Sequence, residues 1–417
     1  MARIVVTSAA YLGDVAPFVA PANELVARGH DVTFLVPRGF HPLLSGERFE
    51  LDEYPLDFSA PAMHADPEHQ RLMRHPWRNQ LRLTRYWMRR ALVDDPERLR
   101  LGLVAAFRDA DVMVTHPTLS CVSIPVAQHA GARVVVGQLF PMMVPTAHHS
   151  APLTARSAEL PRWLNRASWG LTKRMTSLLL NDTAVNSLRS ELGMDRRYAA
   201  AFTAWMDADR SVMLASPHYC GQAPPDWPPM EWGGFSMWPG PAAQRLDPDV
   251  EAYLDAGAAP VLVTLGTSAA SQAGDRFAAI GRGLDELGLR SVLLVADERN
   301  LPPLAGRNGV FVFAPIAPIL ARSRVAVVSG ALGALAAALA AGVPVVVVPQ
   351  LFDQLWHGRR VEELGVGLMA HRPSAVVRAV ARIEADPKFR DRARALAAKM
   401  STEDGSSALA DVVESQC

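Results

Sequence analysis

The sequence predicts an α/β protein made of two doubly wound parallel sheets. Three observations carry that prediction. Short, continuous apolar runs alternate with helical patterns twice over, and strands apolar on both faces belong to parallel sheets covered by helices on each side. The chain has 417 residues, more than one core accommodates. Between the two halves, residues 220–241 read CGQAPPDWPPMEWGGFSMWPGP, a stretch dense in proline, glycine and tryptophan.

The elements follow in order. RIVVTSA is a first strand, PFVAPANELVARG a helix and HDVTFLVP a second strand; ADVMVTHP, a helical SIPVAQHAG and ARVVVGQLF complete the pattern of the first half. In the second half PVLVTLG, SVLLVAD, VFVFAP, VAVVSG and PVVVVPQ repeat it. Proline lacks a backbone donor and fixes its own φ, so 220–241 reads as an ordered linker, neither helix nor strand. The expected division is a first domain over 1–219, that linker, a second domain over 242–400 and a terminal segment over 401–417.

Composition narrows the function. Hydrophobic residues make up 49% and charged residues 20%, the balance of a packed soluble globule. Lys plus Arg and Asp plus Glu are 42 each, so there is no general electrostatic case for nucleic acid. Cys121, Cys220 and Cys417 lie far apart without metal spacing, which suits a reducing compartment. No run is long enough to span a membrane and MARIVVTSAA lacks a signal segment, so a cytoplasmic monomer or homodimer is expected. The arginine-rich segment between Pro67 and Leu103 reads as amphipathic helices with their charges in water; the sharper alternative is a basic surface making weak peripheral contact with anionic lipid.

Ligands of open parallel sheets bind beyond the carboxyl ends of strands. The loop AYLGDVAPF stands there in the first half, with one glycine and no GxGxxG. Its Asp14, beside Gly13 and ahead of Pro17, is either a helix N-cap or a reactive carboxylate. In the second half VAVVS runs into Gly330, Gly333 and the small-residue helix ALGALAAALAAG. Amides at that helix start, backed by its dipole, could hold a diphosphate, or the glycines could only make a tight turn. No Lys-Ser/Thr follows, so this is not a Walker loop. After VVVVPQ, the side-by-side Asp353 and Gln354 suit the hydroxyls of a sugar. His116 ends a first-half strand and reads as an acceptor contact, a partner for Asp14 or a plain loop histidine. His148 and His149 read as solvent-facing. The DxD strings at Asp109–Asp111, Asp207–Asp209 and Asp247–Asp249 are scattered, and no metal is expected.

With these motifs in place, the chain resembles the GT-B glycosyltransferases of family 1, in the branch of glycopeptide-antibiotic, sterol and natural-product enzymes. GDVAPF is similar to that branch's GDVxPF, QLFPMMVPT to its acceptor loop and APPDWPPMEWGGF to its interdomain pattern. PVLVTLGTS stands where relatives have PVYVGFGS, and GVPVVVVPQLFDQLWHGRRVEELGVG resembles their donor motif almost throughout. EDGSSALADVVES resembles their last helix, which implies a return to the first domain. The resemblance implies two Rossmann-like domains facing across a cleft. It implies inverting transfer of a hexose or deoxyhexose from a UDP- or dTDP-sugar to a hydroxyl of a lipophilic natural product, glycopeptide, sterol or glycolipid, with no cofactor beyond that co-substrate.

The roles carried over are Asp14 as general base, and Phe140, Met142 and His116 toward the acceptor. Gly13, Gly266, Thr267, Phe313, Ser329, Gly330, Ala331, Gly333, Ala334, Asp353 and Gln354 fall toward the donor. One departure stands out. Relatives have HHGGxGT at the phosphate turn, whereas this chain has Ser329 for the histidine and Ala334 for the threonine. Two rivals share the architecture: a nucleotide-sugar epimerase, and a transferase-like partner subunit that binds without turning over. A dehydrogenase fits less well, since neither half has the glycine fingerprint followed by a ribose-binding acid.

Overall fold

The computed structural model describes residues 1–8, 11–151, 160–179, 182–240, 245–266, 275–304, 306–350 and 353–417. The chain divides into two compact units, Met1–Trp238 with Asp404–Cys417, and Pro239–Glu403.

The first unit is built on a parallel sheet of β1 (Arg3–Thr7), β2 (Asp31–Val36), β3 (Glu50–Glu53), β4 (Val112–Thr115), β5 (Arg133–Gln138), β6 (Arg210–Met213) and β7 (Glu231–Trp232). Their order is β3-β2-β1-β4-β5-β6-β7. Val5 on β1 stands beside Thr33 on one side and Met113 on the other, so β1 and β4 mark the point where strand order reverses. β1, β2, β4 and β5 coincide with the apolar runs of the sequence. β3 reads ELDE, an edge strand whose acids face water and which carries no apolar signal.

Two expectations need correction. The Leu12–Ala27 helix begins five residues before the expected PFVAPANELVARG and contains both Pro17 and Pro21. Proline normally weakens a helix interior, but here the helix packs against the Gly405–Glu414 helix, and tertiary burial outweighs two missing backbone bonds. The proline-rich stretch is also not purely a linker. It includes the two-residue strand β7 and, with the Pro217–Cys220 helix before it, is part of the first unit as far as Trp238. Leu214 to Gly233 hold that end of the sheet through the Leu214 amide on Gln138 and the Gly233 amide on Met213.

The Gly405–Glu414 helix is capped by Asp404, whose carboxylate accepts from the Ser406 and Ser407 amides at 3.0 and 3.1 Å. Those bonds hold the Asp404 carboxyl below its ordinary range. Arg28 reaches Asp411 and Glu414 at 2.6 and 2.7 Å, so the chain's last helix closes onto its first.

The second unit has a six-stranded parallel sheet, β8 (Val261–Thr264), β9 (Ser291–Leu294), β10 (Asn308–Phe311), β11 (Val325–Val328), β12 (Val345–Val347) and β13 (Gly367–Met369), in the order β10-β9-β8-β11-β12-β13. Valines and leucines of β8, β9, β11 and β12 bury against Phe277, Ile280, Leu284 and Val380 from the covering helices. Strand order again reverses at the central pair, β8 and β11. Each unit therefore presents a switch point of its own, at β1/β4 and at β8/β11.

Candidate active site

Asp14 lies beyond the carboxyl end of β1, on the first turn of the Leu12–Ala27 helix. It is not the N-cap: Tyr11 is, and Asp14 stands three residues on. One carboxylate oxygen, Oδ2, accepts from the Tyr11 amide at 3.3 Å. The turn is fixed further by Ser8, whose hydroxyl donates to the Asp14 carbonyl at 2.7 Å. The other oxygen, Oδ1, faces Nε2 of His116 at 3.6 Å.

His116 follows β4, the neighbour of β1, and its amide donates to the Thr7 carbonyl at 3.1 Å. The ring is 1% exposed, edged by Phe18 and Phe140 at 6.1 and 5.8 Å. Its Nδ1 accepts from the Thr118 amide at 3.1 Å, which places the ring proton on Nε2, the nitrogen turned to Asp14. Burial pushes the imidazole down to about 3, so it stays neutral near pH 7. His116 thus stands beside Asp14, with Nε2 turned toward its carboxylate.

Phe140 is half-buried beyond β5, whereas Met142 is buried and contributes to the interior. The DWPP motif acquires a role the sequence reading missed. Asp226 accepts from the Thr146 hydroxyl and, at 2.7 Å, from the Ala147 amide, tying the loop after β5 in place. Those bonds hold the Asp226 carboxyl below its ordinary range against a burial penalty that acts the other way.

In the second unit, Gly266 follows β8 and Gly330 follows β11, the two central strands. Both have positive φ, +77° and +90°. A side chain at Gly330 would also press on Val347, its Cβ falling 2.8 Å from Cγ1. Glycine is thus required at the turn for both conformation and space. The Leu332–Ala340 helix starts from Ala331, with no side-chain cap. Gly333 is exposed and Ala334 half-exposed on its first turn, and first-turn amides have no partner within the helix. Ser329 is buried, and its hydroxyl accepts from the Ala331 amide at 3.3 Å. That bond shapes the turn. Thr267 lies outside the described residues. Phe313, beyond β10, is 59% exposed, an aromatic face left to solvent. Gly13, assigned with the donor group, sits in the first unit beside Asp14.

Asp353 leads the Gln354–Leu364 helix but its carboxylate caps nothing. Its Oδ2 instead faces Nε2 of the buried His357 at 3.3 Å, one helical turn on. Sequence reading passed over His357, although the four-residue spacing of Asp353 and His357 was the available signal. Gln354 is buried, and its Oε1 accepts from the Gln350 amide at 2.7 Å. Its carbonyl oxygen therefore braces the strand-to-helix loop.

Comparison with known proteins agrees with this architecture. Residues 292–415 match the erythromycin biosynthesis protein CIII-like, C-terminal domain. Glycosyltransferase GtfE of Amycolatopsis orientalis is 27% identical over 99% of this chain and 97% of its own length. O-mycaminosyltylonolide 6-deoxyallosyltransferase of Streptomyces fradiae is 25% identical over 97% and 94%. Among solved structures, the glycotransferase of kitacinnamycin superposes with a TM-score of 0.72 at 20% identity, covering 100% of this chain and 98% of that one. SsfS6 of Streptomyces sp. SF2575, in complex with thymidine diphosphate, superposes with a TM-score of 0.63 at 20% identity over the full length of both. Among the described residues no helix is long and apolar enough to cross a membrane. The chain has the two-sheet α/β fold of the GT-B glycosyltransferase structures and is similar over nearly its full length to glycosyltransferases of antibiotic pathways.

Proposed function

We propose that the protein transfers a hexose or deoxyhexose, with inversion, from a nucleotide diphosphate sugar to a hydroxyl of a lipophilic natural product. The observation that carries the reading is the Asp14–His116 pair at the switch point of the first sheet. Asp14 accepts the acceptor's proton as its oxygen attacks the anomeric carbon, and the bond to the diphosphate breaks on the opposite face. His116, neutral and with Nε2 turned to the carboxylate at 3.6 Å, helps keep that oxygen in place and is not itself the base. Positioning of this kind supplies much of an enzyme's advantage.

The second unit supplies the donor grip. Uncapped amides at Gly333 and Ala334 and the helix dipole take up charge on the departing diphosphate. Phe313 offers its face to the base, and Asp353, steadied by His357, accepts from sugar hydroxyls. No metal takes part in this scheme. Two neighbouring folds, SsfS6 and the spinosyn rhamnosyltransferase SpnG, were solved with thymidine diphosphate, which favours a dTDP-sugar over a UDP-sugar.

The test is a matrix of dTDP- and UDP-sugars against hydroxylated polyketides, glycopeptides, sterols and glycolipids, read by mass spectrometry with and without EDTA. Glycoside formed equally in EDTA supports the scheme. Activity that EDTA abolishes removes its metal-free part. Donor isomerised without acceptor would establish the epimerase. Nucleotide binding without any product would establish the non-catalytic subunit.

A further inference from the structure

The Arg162–Leu179 helix is inside out. Its buried face carries Asn165, Ser168 and Thr172 alongside Trp169, while Trp163, Leu171 and Leu178 are 67%, 52% and 77% exposed. Soluble helices normally bury the apolar side. The inward face has a specific use. Asn165 donates to the Ala147 carbonyl at 3.0 Å, Ser168 accepts from the Ala151 amide at 3.0 Å, and Trp169 donates to the His149 carbonyl at 2.9 Å. Polar side chains thus satisfy the backbone of the loop after β5. The outward face is left with apolar residues that touch nothing equivalent.

Spacings of eight and seven residues put Trp163, Leu171 and Leu178 within an arc of roughly 80°. Charge on this helix is one-sided: Arg162, Arg166, Lys173 and Arg174, with no aspartate or glutamate in RWLNRASWGLTKRMTSLL. The overall chain is neutral, so this is a local concentration of positive charge. The arginine-rich Pro76–Leu92 helix differs. It buries Leu83, Tyr86 and Met88, and two of its arginines pair with acids, Arg89 with Glu68 and Arg90 with Asp94. That helix has the make-up of a solvated face.

We propose that the Arg162–Leu179 helix docks the protein on an anionic lipid surface. Trp163, Leu171 and Leu178 enter the boundary between headgroups and acyl chains, and Arg162, Arg166 and Arg174 meet lipid phosphates. Apolar residues flanked by cations, with tryptophan at one end, are the composition of a helix lying in the membrane interface. A second copy of this chain would match the apolar stripe but would oppose cations to cations, so charge complementarity selects the lipid.

Co-sedimentation of the full chain with vesicles tests this. Binding is expected to equimolar phosphatidylcholine and phosphatidylglycerol, not to phosphatidylcholine alone, and should fall away at about 0.5 M salt. Two triple variants, Trp163→Gln/Leu171→Gln/Leu178→Gln and Arg162→Gln/Arg166→Gln/Arg174→Gln, should each weaken the partition about tenfold or more while keeping the native melting temperature. Absence of native binding to the anionic vesicles, or undiminished binding by either folded variant, overturns the proposal. So does a native dimer, seen by light scattering, that the apolar triple variant converts to monomer.

Discussion

Replacing Asp14 by asparagine separates chemistry from structure at one position. The asparagine carbonyl can still accept from the Tyr11 amide, as Oδ2 does at 3.3 Å, and its amide can still face His116. The helix loses one negative charge near its N-terminus, worth about 0.3–1 kcal/mol. In a unit of this size that moves the melting temperature by no more than about 4 °C. Turnover should fall on the order of a hundredfold or more, about 2.7 kcal/mol of barrier, the usual loss when a general base is removed. Asp14→Ala removes the cap acceptor as well and costs about 1 kcal/mol more in stability, yet should be no slower than Asp14→Asn. The assay is glycoside formation on the best donor and acceptor pair, with donor affinity measured by calorimetry and melting followed in parallel. If Asp14→Asn turns over within about threefold of native, the carboxylate only supports its helix and the base assignment fails.

Three further outcomes are expected. Gly330→Ala must take φ of +90° with its Cβ 2.8 Å from Val347, so it should lower stability by about 1 kcal/mol or more and weaken nucleotide diphosphate binding; unchanged calorimetry would remove the turn from the donor site. Asp353→Ala should impair use of the sugar donor far more than binding of the free diphosphate, and His357→Gln should do the same more weakly, so equal losses for both ligands would place the pair elsewhere. Buried His116 and His69 are held near 3 and 4, below their ordinary 6.5, so between those values the unfolded chain binds more protons than the folded one. Their effect is nil above pH 6.5 and grows as pH falls, with a slope approaching about 1.4 kcal/mol per pH unit for each histidine; denaturant titrations from pH 7 to 4 should show that slope, and His69→Asn should reduce it.

Strands were legible where they are buried on both faces. PVVVVPQ and VAVVSG need no partner to be recognised, because a parallel strand between helices is apolar throughout. β3 was not, since its ELDE has one neighbour and meets water. The start of the Leu12–Ala27 helix was obscured by Pro17 and Pro21, whose local cost is offset by a helix nearly four hundred residues along the chain. The same distance separates motif from role at the site. GDVAPF pointed to Asp14, but nothing local fixes that His116 keeps its proton on Nε2, which depends on the Thr118 amide and a fully enclosed ring. DWPP read as a joint between domains, whereas its aspartate ties the loop after β5, eighty residues earlier.

The two switch points use charge in opposite ways, and that bears on the missing histidine of the phosphate turn. In the first unit a partly exposed carboxylate stands beside a buried neutral histidine, so on the proposed scheme one negative charge lies where a proton has to be taken and the histidine contributes direction without charge. In the second, Ser329 faces inward and spends its acceptor on the Ala331 amide, so it presents no cation to a diphosphate. Attraction there rests on uncapped helix amides, each worth about a kcal/mol, together with a dipole of roughly half a charge. On the proposed scheme such a turn holds the diphosphate through its backbone, and its grip owes nothing to the protonation state of a side chain at position 329.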